Sequence, residues 1–92
     1  MWAIIDEHGK IAEAYYEDSG RICPLIFNKK ETAENELGYI LAEWHDELED
    51  LKSIAKCEGK KPEDYEDYEV IIKNIRYFEK CKIKKIEIIF EE

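Results

Sequence analysis

Glutamine is absent from the 92 residues, and cysteine (3), proline (2), glycine (4) and methionine (1) are scarce. Each shortage excludes something. Cys23, Cys57 and Cys81 are odd in number and far apart, which argues against a disulfide-stapled secreted domain. No Cys-x-x-Cys or His-x-x-x-His spacing exists, so His8, His45 and the cysteines predict no zinc site and no cofactor. The four glycines are isolated, so no glycine-rich loop is available to cradle a phosphate. Ser19 and Ser53 are the only serines, and neither sits in a nucleophile elbow. Cys57 and His45 share a predicted helix but lie about 18 Å apart along its axis, too far for a nucleophile–base pair. No carboxylates are marked as a buried catalytic pair. The chain therefore reads as a non-enzyme. No apolar run approaches the ~18 residues of a membrane-spanning helix. Residues 2–5, Trp-Ala-Ile-Ile, have no basic flank, so no signal peptide is expected and a reduced, cytoplasmic protein is.

Charge is what the sequence has in excess. Charged residues make up 40% and hydrophobic residues 45%, with a net charge of −9. The apolar share is too high for disorder and suits one domain spanning 1–92. The charge opposes binding to nucleic-acid backbones and anionic membranes, and favours basic protein partners. Abundant lysine, glutamate and isoleucine fit either a thermophilic source or an AT-rich genome.

Hydrophobic periodicity orders the elements. Residues 2–5 and 10–16 flank Asp6-Glu7-His8-Gly9, a hairpin-type turn. In the second run Ile11, Glu13 and Tyr15 share one face, and Ala12, Ala14 and Tyr16 the other. After Glu17-Asp18-Ser19-Gly20, residues 22–27 read as a third strand, with Pro24 placing it at an edge or bulge. An antiparallel meander is the expectation. Asn28 then reads as an N-cap with Glu31 three residues on, opening a helix to about Cys57. Its stripe is Ala33, Leu37, Ile40, Leu41, Trp44, Leu48, Leu51, Ile54 and Ala55. Gly59 stops it, and Pro62 starts a second helix with stripe Tyr65, Tyr68, Ile71, Ile72, Ile75 and Phe78. The β-branched run Val70-Ile71-Ile72 leaves a strand at 68–73 as the rival reading. Residues 82–90 close the chain as a strand. The fold class is α+β: a small antiparallel sheet (β-β-β-α-α-β) with two helices packed on one face.

Acidic residues concentrate between 43 and 69, where 11 acidic side chains outnumber 4 basic ones, whereas residues 70–92 carry a small basic excess. Glu43, Asp46, Glu47, Glu49, Asp50, Glu63, Asp64, Glu66 and Asp67 are the candidate partner-binding residues. The competing reading is a solvated helix face plus acids placed favourably at a helix start. Val70 and Tyr77, seven residues apart opposite the second helix's stripe, and Tyr39 beside Glu36 and Glu43, are candidate contact residues for a homodimer.

Trp2-Ala3-Ile4-Ile5-Asp6-Glu7-His8-Gly9-Lys10-Ile11, followed by residues 24–34 (Pro-Leu-Ile-Phe-Asn-Lys-Lys-Glu-Thr-Ala-Glu), resembles small uncharacterised proteins of phage, prophage and archaea. There a hairpin leads through an apolar strand into an acidic helix. The resemblance covers about 35 residues of turn and cap chemistry, and implies a mobile-element or viral accessory role without carrying catalytic residues. Lys29 stands where threonine is frequent, so Asn28 has to cap.

Three functions remain. The first is an acidic interaction module, an inhibitor or accessory factor docking a basic protein that handles nucleic acid. The second is a structural or regulatory homodimer using Val70, Tyr77 and the open edge at Pro24. The third is a small-molecule-binding domain or minor enzyme with a pocket lined by Tyr15, Tyr16 and Trp44.

Overall fold

A computed structural model describes residues 1–87. The strands are β1 (Trp2–Ile5), β2 (Glu13–Tyr16), β3 (Arg21–Pro24), β4 (Ile26–Phe27) and β5 (Lys82–Lys85); the helices are α1 (Lys30–Glu58) and α2 (Glu66–Glu79). The fold is α+β, an antiparallel sheet ordered β4-β1-β5 with two helices packed against it. The strand predicted over 82–90 is present as β5, and its last three residues lie outside the described residues.

β1 takes the centre because it is apolar on both faces: Ala3, Ile4 and Ile5 are all buried. This changes the expected meander. β1 pairs with β4 through Trp2–Phe27 and Ala3–Ile26, and with β5 from Trp2–Lys85 to Ile5–Lys82. β2 and β3 form a separate two-stranded sheet, and β2's chain reaches β1 through the single bridge Ile5–Ile11. The Asp6 carboxylate explains the tight turn between them. It accepts the backbone N–H of His8 at 2.9 Å and of Lys10 at 3.0 Å, while Gly9 takes φ +81°.

The two sheets meet at three residues. Ile4 N–H donates to the Leu25 carbonyl (3.0 Å), Leu25 N–H to the Ala12 carbonyl (2.9 Å), and Ala12 N–H to the Ile4 carbonyl (2.8 Å). This closed ring of backbone bonds is sealed from water, with Ile4 and Ala12 at 0% and Leu25 at 1% exposure. Ile40, Phe78 and Cys81 pack on it, so α1 and α2 both seat on the joint.

α1 has 29 residues and is therefore about 44 Å long, far longer than the sheet. Its distal half packs on α2, through Leu51, Ile71 and Ile75, and on the short segment before α2 through Tyr65, with Trp44 touching both apolar clusters. The radius of gyration is 16.0 Å, against about 12 Å for a compact chain of this size. The N-terminal cap differs from expectation: the flanking residue is Lys29 in extended conformation, and no side chain caps the helix, Asn28 included. The C-terminus is as expected. Gly59 is left-handed at φ 68°, and its N–H reaches the Ala55 and Lys56 carbonyls. A Cβ there would meet nothing within 4 Å. Gly59→Ala should therefore cost only its backbone strain, about 1 kcal/mol, read as a shift in urea midpoint at unchanged slope.

Pro62 opens a 3-10 turn, Pro62–Asp64, and α2 begins later, at Glu66. The Asp64 carboxylate accepts the Lys61 N–H at 3.2 Å. Residues 70–72 are helical, which disposes of the rival strand. Helical spacing of Ile71, Ile75 and Phe78 onto α1 and the sheet outweighs the local β-branching.

Candidate partner-docking surface

All nine candidate carboxylates are exposed. Their helical positions divide them. Each residue advances the helix by about 100°, so Glu43, Asp46, Glu47 and Asp50 fall within one arc of about 100° beside the buried stripe. Glu49 falls about 110° from the centre of that arc, next to Lys52, whose Nζ lies 3.3 Å from its carboxylate. The opposite flank carries His45, 3.9 Å from Glu79 of α2. Glu63, Asp64, Glu66 and Asp67 form a second group at the helix–helix turn. Among the described residues, Glu49 alone of the nine has an ion-pair partner.

Tyr39 continues the α1 flank toward its N-terminus. It is 59% exposed, and the adjacent Glu43 pushes its phenol pKa up. Glu36, one turn further, accepts the Tyr16 hydroxyl at 2.9 Å. The β2–β3 hairpin is thereby tied to the acidic side of α1.

Val70 is 54% exposed, but Tyr77 is not its open companion. Tyr77 is half-buried, donates its hydroxyl to Asp6 Oδ2 at 3.1 Å, and meets the Phe78 ring edge-on at 5.0 Å. The Asp6–Gly9 turn reaches across α2 and occupies the face that a helical wheel leaves empty. Tyr15, Tyr16 and Trp44 do not converge on a cavity. Tyr15 points outward, Tyr16 turns to Glu36, and Trp44 packs into the apolar clusters. A surface groove of about 610 Å³ instead lies between the turn and α2, lined by His8, Tyr68, Arg76 and Lys80 among others.

Sequence reasoning missed one surface pair. Tyr15 (63% exposed) and Ile22 (65%) stand opposite each other on the outer face of the hairpin. The alternation of residues 11–16 contained the signal, because Ala12 and Ala14 suit close packing and so mark the inner face.

The groups with shifted titration hold structure together. Burial, then the bond to Asp6, pushes Tyr77 up to about 12. Burial, then Glu36, does the same for Tyr16, and the 2.6 Å bond to Glu58 raises Tyr65 to about 12. A raised phenol contributes stability that is complete below the unfolded value of 10.0 and lost as pH climbs through about 12. Absorbance titration near 295 nm should show Tyr16, Tyr65 and Tyr77 ionising near pH 12, with unfolding in the same window; ionisation of these three near pH 10 would contradict these bonds. Asp6 shifts the other way, lowered chiefly by the Lys10 N–H, so its contribution is present above 3.8 and lost as pH falls through the depressed value. Cys81 is buried, and burial lifts its thiol to about 11, which leaves it a packed hydrophobe. Cys23 and Cys57 are also free thiols.

Among the described residues no group of three His, Cys, Asp or Glu is placed to hold a metal ion. No helix there is long and apolar enough to cross a membrane. No family model, curated protein or solved structure matches this chain.

Proposed function

We propose that this protein is a non-enzymatic interaction module whose acidic α1 flank docks a protein with a basic surface, one that handles nucleic acid. The observation that carries this reading is the alignment of Glu43, Asp46, Glu47 and Asp50 on one exposed flank, none of them ion-paired among the described residues. Four like charges repel along a helix at a cost in stability, and a cationic partner would relieve that repulsion in the complex. A row of carboxylates on one helix presents a partner's lysines and arginines with a concentrated negative field. Glu63, Glu66 and Asp67 extend the negative field to the helix–helix turn. The resemblance of residues 2–11 and 24–34 to small uncharacterised proteins of phage, prophage and archaea implies a mobile-element accessory role, with which such docking is compatible.

The homodimer has less support, because Tyr77 is engaged with Asp6 and leaves Val70 without its companion. The test is capture of partners from the source organism by tagged wild-type protein and by a variant carrying Glu43→Lys, Asp46→Lys, Glu47→Lys and Asp50→Lys. A basic protein held by the wild type and lost by the variant supports the reading. The same set of proteins on both, released at the same salt, refutes it.

A further inference from the structure

The β2–β3 hairpin has one covered face and one open face. Ala12, Ala14 and Tyr16 turn inward onto the core. Ile11, Tyr15, Ile22 and Pro24 turn outward and are exposed, with Glu13 between Ile11 and Tyr15. Beyond their mutual pairing, neither strand brings its backbone against any other element. Both long edges of this small sheet are therefore open within the described residues.

The two edges are not equivalent. Pro24 stands opposite Glu13 and has no N–H, so that pair cannot exchange backbone bonds. The bond from Leu25 N–H to the Ala12 carbonyl fits this register. Antiparallel alternation then turns the N–H and C=O of Glu13 and Tyr15 away from β3, toward the free edge of β2. The edge of β3 is blunted by its proline, and the edge of β2 keeps its donors. The free edge of β5 is handled differently again: Lys82, Lys84 and Lys85 line that strand, a common guard against unwanted pairing. β2 has no lysine.

We propose that the free edge of β2 and the outer face of the hairpin receive an extended segment of the partner, added as a strand, in which every second residue reads basic then apolar. Main-chain bonds to Glu13 and Tyr15 would supply affinity, and alternate side chains would supply selectivity. A lysine or arginine falls beside Glu13, and an apolar or aromatic residue beside Tyr15 and Ile22. Charge selects a basic segment. Glu13, and Glu17 and Asp18 at the hairpin tip, have no ion-pair partner among the described residues, and Glu36 and Glu43 lie along α1 behind it. The inference rests on the reading of the α1 flank as a docking surface for a basic protein, and adds the second contact that fixes how the partner lies.

The probe is an acetylated, amidated, dye-labelled heptapeptide in which threonine alternates with lysine, phenylalanine and lysine, titrated at low salt and followed by anisotropy. Wild-type protein should bind it saturably. Tyr15→Ser with Ile22→Ser should weaken binding tenfold or more, and so should Glu13→Lys. These side chains are exposed, so the far-UV spectrum and melting midpoint should stay near wild type. A peptide of the same sequence, N-methylated at alternate residues so that it cannot form a strand, should not bind. Absence of saturable binding to the wild type, equal binding by the variants, or undiminished binding of the N-methylated peptide overturns the proposal. Self-association abolished by Tyr15→Ser with Ile22→Ser would place a second copy on the edge and overturns it too. If a captured partner responds to the α1 reversal and ignores Tyr15→Ser with Ile22→Ser, the docking flank stands and the strand addition falls.

Discussion

Leu25→Ala is expected to cost about 3 kcal/mol, the largest effect of any single substitution considered for this fold. A domain of this length has a total stability on the order of 5–14 kcal/mol, so the variant would be at least partly unfolded near 37 °C if the wild type lies at the low end. Leu25 is 1% exposed and shares its cluster with Ile4, Ala12, Ile40, Phe78 and Cys81. Collapse around the missing methyls is resisted by the ring of backbone bonds through Ile4, Ala12 and Leu25, which fixes three chain segments at once. The remaining cavity therefore stays open, and cavity volume carries much of the cost. Because both sheets hang on this joint, urea unfolding followed by tryptophan fluorescence and by far-UV dichroism should move to the same lower midpoint. A loss below about 1 kcal/mol would mean that the joint repacks freely, contrary to this description.

Reversal of Glu43, Asp46, Glu47 and Asp50 to lysine is expected to weaken partner binding about 100-fold at low salt while leaving the fold intact. Each reversal exchanges a screened attraction for a screened repulsion worth about 0.7 kcal/mol, so four give about 3 kcal/mol. The residues are exposed mid-helix positions, and lysine is as good a helix former as glutamate. The effect should fall mainly on the association rate and shrink as salt rises, because screening removes the field that steers encounter. A loss equal at low and high salt would point to contacts other than these charges.

The sequence carried the helices better than the strands. Both helical stripes were legible because Ile71, Ile75 and Phe78 repeat at three and four, and Gly59 marks a stop with its left-handed backbone. Strand partners were not legible, because a four-residue strand such as Trp2–Ile5 states its burial but not its neighbours. That β1 lies between β4 and β5 depends on a pairing 80 residues apart, for which local pattern holds no information. Tyr77 was misplaced for a related reason: a wheel of α2 shows it opposite the core, and the loop that covers it comes from the other end of the chain. The acidic flank was half legible. Spacing alone groups Glu43, Asp46, Glu47 and Asp50, but exclusion of Glu49 through Lys52 and separation of the Glu63–Asp67 group needed the helix bounds.

The central claim is that these four carboxylates act together as a docking surface, beyond their share of a negative net charge. It is tested most directly by two variants of equal charge. One reverses the four flank residues; the other reverses Glu31, Glu34, Glu69 and Glu87, all exposed and none of them among the candidate docking residues. Each reversal adds two units of charge, so both variants move from −9 to −1. Affinity for the captured basic partner should fall about 100-fold for the flank variant and only a few-fold for the other. Equal losses in the two would show that net charge alone attracts the partner, and the flank would have no special standing.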